Sequence, residues 1–262
     1  MKKIIFIITT LIISFPVYSN TLDYAAEEIF EGNYEEAEEI LRPLAEEGDS
    51  YAQKILASMY YHPETGKQDL DKAFYWFDKA SEQGDTEATY SLAVLYRDGE
   101  GVTRNHEKAA SLFQAAAEKG HEVAQYNLGV HYKEGSGVPQ DDEKAVYWWE
   151  KSAEQGYPDA QYNLGLSYNM GSGVPQNQDK ALSWWMLSAD GGHPIAQFNI
   201  GVHYNIGELL DKDMVSSYKW FYLSHMGGYP EAREVLNSLN NELDDEQIES
   251  AKSRAHQWLQ SR

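Results

Sequence analysis

Six glycines stand 36 residues apart, at Gly48, Gly84, Gly120, Gly156, Gly192 and Gly228. Six alanines keep the same interval, at Ala52, Ala88, Ala124, Ala160, Ala196 and Ala232. A third series runs Ala37, Ala73, Ala109, Ala145 and Ala181, with Ser217 as its last member. Chance does not hold three registers in step over such a distance. A fixed period of this length is the mark of a stacked repeat, in which one unit cannot bury both its faces and leans on its neighbours.

Each unit reads as two helices. In residues 121–156, Ala124, Leu128, Gly129 and Tyr132 fall on one helical face, with two small residues where a second helix can approach. Glu134-Gly135-Ser136-Gly137-Val138-Pro139 then breaks the helix. A second helix follows, with Ala145, Trp148, Trp149, Ser152 and Ala153 expected on its inner face and Gly156 at the left-handed position after its end. Pro158 and Pro194 sit near helix starts, where a missing N–H costs nothing.

The motif Ala160-Gln161-Tyr162-Asn163-Leu164-Gly165, Tyr168, Gly171-Ser172-Gly173-Val174, Asp179-Lys180-Ala181, Trp184-Trp185, Ser188-Ala189 and Gly191-Gly192 resembles the Sel1-like repeat, a cousin of the tetratricopeptide repeat. The match is strongest in units 85–120, 121–156 and 157–192. Units 49–84 and 193–228 keep the length but change the loop: Pro63 and Thr65 replace the paired glycines of one, and Leu209 replaces the second glycine of the other. The resemblance implies an all-α fold, a right-handed α-solenoid of helix-turn-helix units. The expected organisation is a signal peptide over 1–19, a tetratricopeptide-like helix pair over 20–48, five Sel1-like repeats over 49–228 and capping helices over 229–262. In the cap, Leu243-Asp244-Asp245-Glu246 opens a helix whose apolar stripe is Ile248, Ala251, Ala255, Trp258 and Leu259.

Composition excludes several function classes. With 21 Lys+Arg against 42 Asp+Glu, the formal net charge is −21. Nucleic-acid phosphates need a basic face, so that partner is not expected. No cysteine is present, which removes disulfides, thiolate metal sites and a thiol nucleophile. It also departs from secreted Sel1-like relatives that carry a Cys pair in each repeat. At the start, Lys2 and Lys3 precede an apolar run from Ile4 to Phe15, and Val17-Tyr18-Ser19 offers a cleavage site. That pattern is a secretory signal, and the run is too short to span a bilayer. The mature protein is expected outside the cytoplasm, periplasmic or secreted.

The sequence holds only decoys of catalytic constellations. Gly135-Ser136-Gly137 and Gly171-Ser172-Gly173 follow a helix, lack the Lys-Ser/Thr tail of a phosphate loop and recur in register, as turns do. His121-Glu122 begins like a zinc-protease motif, but Gln125 stands where the second His must be. The repeated pairs His121/His193 and His131/His203 lie two units apart, about 20 Å at the usual helix spacing, so they cannot share a metal and read as polar edges. Neither metal nor cofactor is expected. A cell-wall or β-lactam-acting enzyme, an activity attributed to cysteine-rich relatives, is the alternative function, but no Ser-x-x-Lys is expected beside a plausible pocket.

A surface remains. In the tetratricopeptide relatives the first helix of each pair lines the concave face. By that resemblance the face here receives Tyr90, Tyr126, Tyr162 and Phe198, then Val94, Val130, Leu166 and Val202, then Arg97, Lys133, Asn169 and Asn205. Asn127, Asn163 and Asn199 repeat beside them, as partner contacts or as buried amides tying a helix to a neighbour. Such a stripe suits an extended peptide or a partner helix, unless its rings pack among the repeats. Residues 20–50 carry eleven acids and one base, Arg42, which reads as a solvated face or as a landing site for a basic partner. The expected function is therefore a protein-binding scaffold, acting as adaptor, host-factor binder or toxin inhibitor.

Overall fold

The computed structural model describes residues 18–261; the expected export signal lies, up to Val17, outside the described residues. Among them are fourteen α-helices and no strand. They fall into two compact units, one ending at Asn105 and one beginning at His106.

The first unit holds α1 (Tyr18–Glu31), α2 (Tyr34–Glu46), α3 (Ser50–Tyr61), a 3-10 turn at Pro63–Thr65, α4 (Leu70–Glu82) and α5 (Thr86–Asp98). Its interior is built from Ala37, Leu41, Ala45, Leu56, Phe77 and Leu92, all buried. Two of the acids expected on a solvated face are also inside. Glu28 accepts a hydrogen bond from Asn33 Nδ2 at 2.7 Å. Glu38 is held by Tyr60 Oη at 2.6 Å, by Lys67 Nζ at 3.0 Å and by Arg42. Burial pushes the Glu38 carboxyl up, but the Tyr60, Lys67 and Arg42 bonds outweigh it and keep it below the ordinary carboxylate value.

The second unit opens with α6 (His106–Glu118). Three helix pairs follow: α7 (Glu122–Glu134) with α8 (Asp142–Glu154), α9 (Pro158–Met170) with α10 (Gln178–Asp190), and α11 (Pro194–Ile206) with α12 (Met214–Met226). α13 (Glu231–Leu239) and α14 (Asp245–Gln260) end the chain. Each first helix packs on its own second helix and on the second helix before it. The small residues of the repeat make the first contact possible. A Cβ on Gly129 would lie 2.5 Å from the Trp149 ring, and one on Gly165 would lie 2.4 Å from Trp185. The ring sits where a side chain would be.

Helix ends follow local chemistry. Asp141 and Asn177 cap α8 and α10 by accepting from the Lys144 and Lys180 backbone N–H groups at 3.0 and 2.9 Å. Gly135, Gly171 and Gly207 close α7, α9 and α11 in the left-handed conformation. The second loop glycine has a different task. A Cβ on Gly137 or Gly173 would meet the His106 or Asp142 carbonyl oxygen at 2.1 or 2.2 Å, so these glycines let the loop lie against the start of the preceding second helix.

Several side chains depart from the sequence expectation. Trp149 and Trp185 are buried, whereas Trp148 and Trp184 lie half-buried on the adjacent face. His121 and His193 are helix caps, their Nδ1 atoms accepting from the Ala124 and Ala196 N–H groups at 3.2 and 3.1 Å. His131 is no polar edge: it is 4% exposed, packs on Phe113 and hydrogen-bonds the Ser136 carbonyl at 2.6 Å. Leu259, counted in the apolar stripe of the cap, faces outward at 40% exposure.

Candidate partner-binding cleft

The first helices α7, α9 and α11 carry the expected stripe in the second unit. Tyr126, Val130, Lys133, Tyr162, Leu166, Phe198 and Val202 are all half-buried. Each ring packs on an aromatic residue 31 positions later, just before the next first helix. Tyr126 meets Tyr157 at 5.2 Å, Tyr162 stacks on His193 at 4.6 Å, and Phe198 meets Tyr229 edge-on at 5.1 Å. The phenols also reach forward: Tyr126 hydrogen-bonds Asn163, and Tyr162 hydrogen-bonds Asn199. Burial pushes both phenols above their ordinary value, while the asparagine bonds pull them back. Asn127 Nδ2 donates at 2.8 Å to the Val123 carbonyl of its own helix. The rings therefore join neighbouring repeats with one edge and reach solvent with the other.

Between α7 and α9 the stripe opens into a cleft of about 280 Å³, lined by Tyr126, Val130, Lys133, Glu134, Trp149, Asn163, Leu166, Ser167 and Met170. Trp149 forms the floor, its Nε1 donating to the Tyr126 carbonyl at 3.2 Å. Met170 stands on the rim with 62% of its surface exposed. The volume is at the small end for an enclosed ligand site, and an open apolar trough with Lys133 and Glu134 in its lining suits one or two side chains of a peptide.

Tyr90 and Arg97 belong to α5 in the first unit. Tyr90 is half-buried, and burial raises its phenol above the ordinary value. Arg97 forks onto Asp98, with Nε to Oδ1 at 2.8 Å and Nη2 to Oδ2 at 2.7 Å.

Sequence reasoning missed two features of the cleft. Met170 ends α9 at a repeat position filled by Asp98, Glu134 and Ile206 elsewhere, and lining up the four shows the turn from acidic to apolar. Lys133 is also less free than the stripe suggests. Its Nζ donates to Asp142 Oδ2 at 3.1 Å and to Ser172 Oγ at 2.7 Å, and Ser172 Oγ donates to Asp142. A serine beside a lysine evokes a hydrolase nucleophile. Here, however, the hydroxyl proton points at a carboxylate and the ammonium donates to both partners, so the trio is a tie between a loop and two helices.

Comparison with known proteins agrees with this architecture. The Sel1 repeat family model matches residues 50–85, 86–121, 123–157, 158–193 and 194–228. No curated protein matches the chain. Among solved structures, a Sel1 repeat protein from Oxalobacter formigenes is similar with a TM-score of 0.79 at 24% identity, over 90% of this chain and 99% of that one, which is a likeness of fold. An immunity protein from Pseudomonas aeruginosa is 20% identical over 80% of this chain and 81% of its own, with a TM-score of 0.48. Sel1 repeats are protein-interaction scaffolds, generally without catalytic activity. With five repeats matched across most of its length, the chain belongs to the Sel1 repeat family.

Proposed function

We propose that the protein is an exported scaffold that binds a peptide segment of a basic protein in the cleft between α7 and α9. The observation that carries this reading is the cleft itself: an apolar trough over Trp149, rimmed by Met170, Lys133 and Glu134. The net charge of −21 supports a basic partner, since an acidic field raises the encounter rate of opposite charge. The basic residues Lys2 and Lys3 followed by the run from Ile4 to Phe15 support export. Adaptor, host-factor binder and toxin inhibitor are three forms of this one activity.

The test uses Met170→Glu, because Met170 is exposed and its replacement leaves the core intact, whereas Tyr126 and Tyr162 also hold repeats together. Affinity capture from the envelope fraction is compared between wild type and variant, with equal melting temperatures as the fold control. Loss of a specific partner is expected. An unchanged partner set overturns the cleft assignment. N-terminal sequencing of the exported protein, expected to begin at Asn20, tests the signal separately.

A further inference from the structure

The second helices repeat an outward-facing set of positions, and among the described residues of the second unit that set is covered at one place only. Three series run at the 36-residue interval: Trp148, Trp184 and Trp220; Lys151, Leu187 and Leu223; Glu150, Met186 and Tyr222. On α12 the set is closed over. Trp220 is 7% exposed and Leu223 2%. On α10 the same set is open, with Leu187 at 50% and Met186 at 36%. What differs at α12 is α14, which packs along it.

α14 shows what this surface accepts. Ala251 and Ala255 are fully buried and let the helix approach closely. Trp258 meets Trp220 edge-on at 6.3 Å, and His256 meets Tyr222 at 5.8 Å. The Lys219 ammonium lies over the Trp220 ring at 4.1 Å, and burial lowers its proton affinity against the pull of Asp190. Arg254 of α14 acts on the same lysine, so the docked helix brings a basic side chain to this part of α12.

One repeat earlier, the uncovered surface continues this interface. On α10, Trp184 and Leu187 supply the apolar centre and Asp190 ends the helix, while the preceding second helix α8 carries Glu150 and Glu154, with Lys151 drawn to Glu154 at 3.9 Å. We infer that the α8–α10 surface is a second docking site, which takes an amphipathic helix of another protein with a small-residue and aromatic stripe and basic flanks. Helix-in-groove recognition of this kind reads anchors at i, i+4 and i+7, the spacing of Ala251, Ala255 and Trp258 in the helix already seated next door.

A fluorescein-labelled synthetic peptide of residues 244–261 serves as the probe, with the full chain as receptor and fluorescence anisotropy as readout. Saturable binding is expected, weakened at least tenfold by Leu187→Glu and retained by Leu187→Met, with both variants melting as wild type does. A peptide in which Glu249 is replaced by Lys is expected to bind more tightly. Absence of saturable binding overturns the inference. So does equal binding to Leu187→Glu, because the peptide would then be displacing the chain's own α14 from α12. Light scattering is run alongside: a dimer dissolved by Leu187→Glu would assign the surface to a second copy and overturn the partner-helix reading.

Discussion

A buried glutamine shows how closely the repeats differ at single positions. Gln125 and Gln161 occupy equivalent places, 5% and 6% exposed. Gln125 donates to the Ala117 carbonyl at 3.0 Å and accepts from Gln155 Nε2 at 2.8 Å. Gln161 donates to the Ala153 carbonyl at 3.2 Å, but its Oε1 has no hydrogen-bond partner. The reason lies one helix away. Gly191 stands where Gln155 does, because a Cβ there would lie 2.7 Å from the Pro158 ring. Gln125→Leu should therefore destabilise more than Gln161→Leu, by about 1 kcal/mol, the net worth of one such bond; thermal melts of the two variants decide it. Gly129→Ala, which drives a methyl into Trp149, should lower stability by about 1–3 kcal/mol, whereas an exposed Ala at Ser183 should not. Residue-scale detail was only partly legible in the sequence. Trp148 and Trp149 are neighbours in a helix, so one helical face cannot hold both, and the 3.6-residue period does not say which turns inward. His131 and His121 look alike as letters, but one fills a core site and the other caps a helix.

Elements were far more legible, since their ends are written in residues with one conformational use. The caps Asp141 and Asn177, the glycines after α7, α9 and α11, and the cap helix after Asp244 all stand where local chemistry requires. The tie between Lys133, Asp142 and Ser172 was not legible, because its members come from two helices and a loop whose approach depends on Gly173. Its electrostatics give a pH prediction. The Ser172 hydroxyl first, and then Lys133, hold the Asp142 carboxyl below its ordinary value. A carboxylate depressed in the folded state adds stability above its unfolded pKa, and this is lost as pH falls through the folded one. Ser172→Ala should move the Asp142 titration up toward the ordinary value, so stability is lost at a higher pH on acidification. Carboxyl NMR of wild type and variant measures the shift, and an unmoved titration would refute the tie. Gly173→Ala should be costlier, at about 2 kcal/mol or more, since it combines a positive φ with a backbone collision.

At the scale of the whole molecule, each unit is held by contacts between adjacent helices, so stability is roughly a sum of nearest-neighbour terms. The repeat length announced this from sequence alone. The cleft was less visible, since the stripe positions follow from family resemblance and their depth follows from Trp149 beneath them. Ending the chain after Leu243 would uncover Trp220, Leu223 and Tyr222 on α12. The expected result is a lower melting temperature, with hydrogen exchange accelerated most in α12 and least in α7. Uniform acceleration across the second unit would show that it melts as a single block.

The pairing of Pro158 with Gly191, repeated as Pro194 with Gly227, bears on how such a chain can be recombined. Each proline and its glycine lie 33 residues apart, almost a full period. A crossover between them could unite the proline of one repeat with the Gln155-type residue of another, and the two would collide. A crossover at a repeat boundary such as Gly156 or Gly192 keeps each pair intact. Libraries that shuffle these repeats should therefore return folded chains from boundary junctions and few from junctions inside a repeat.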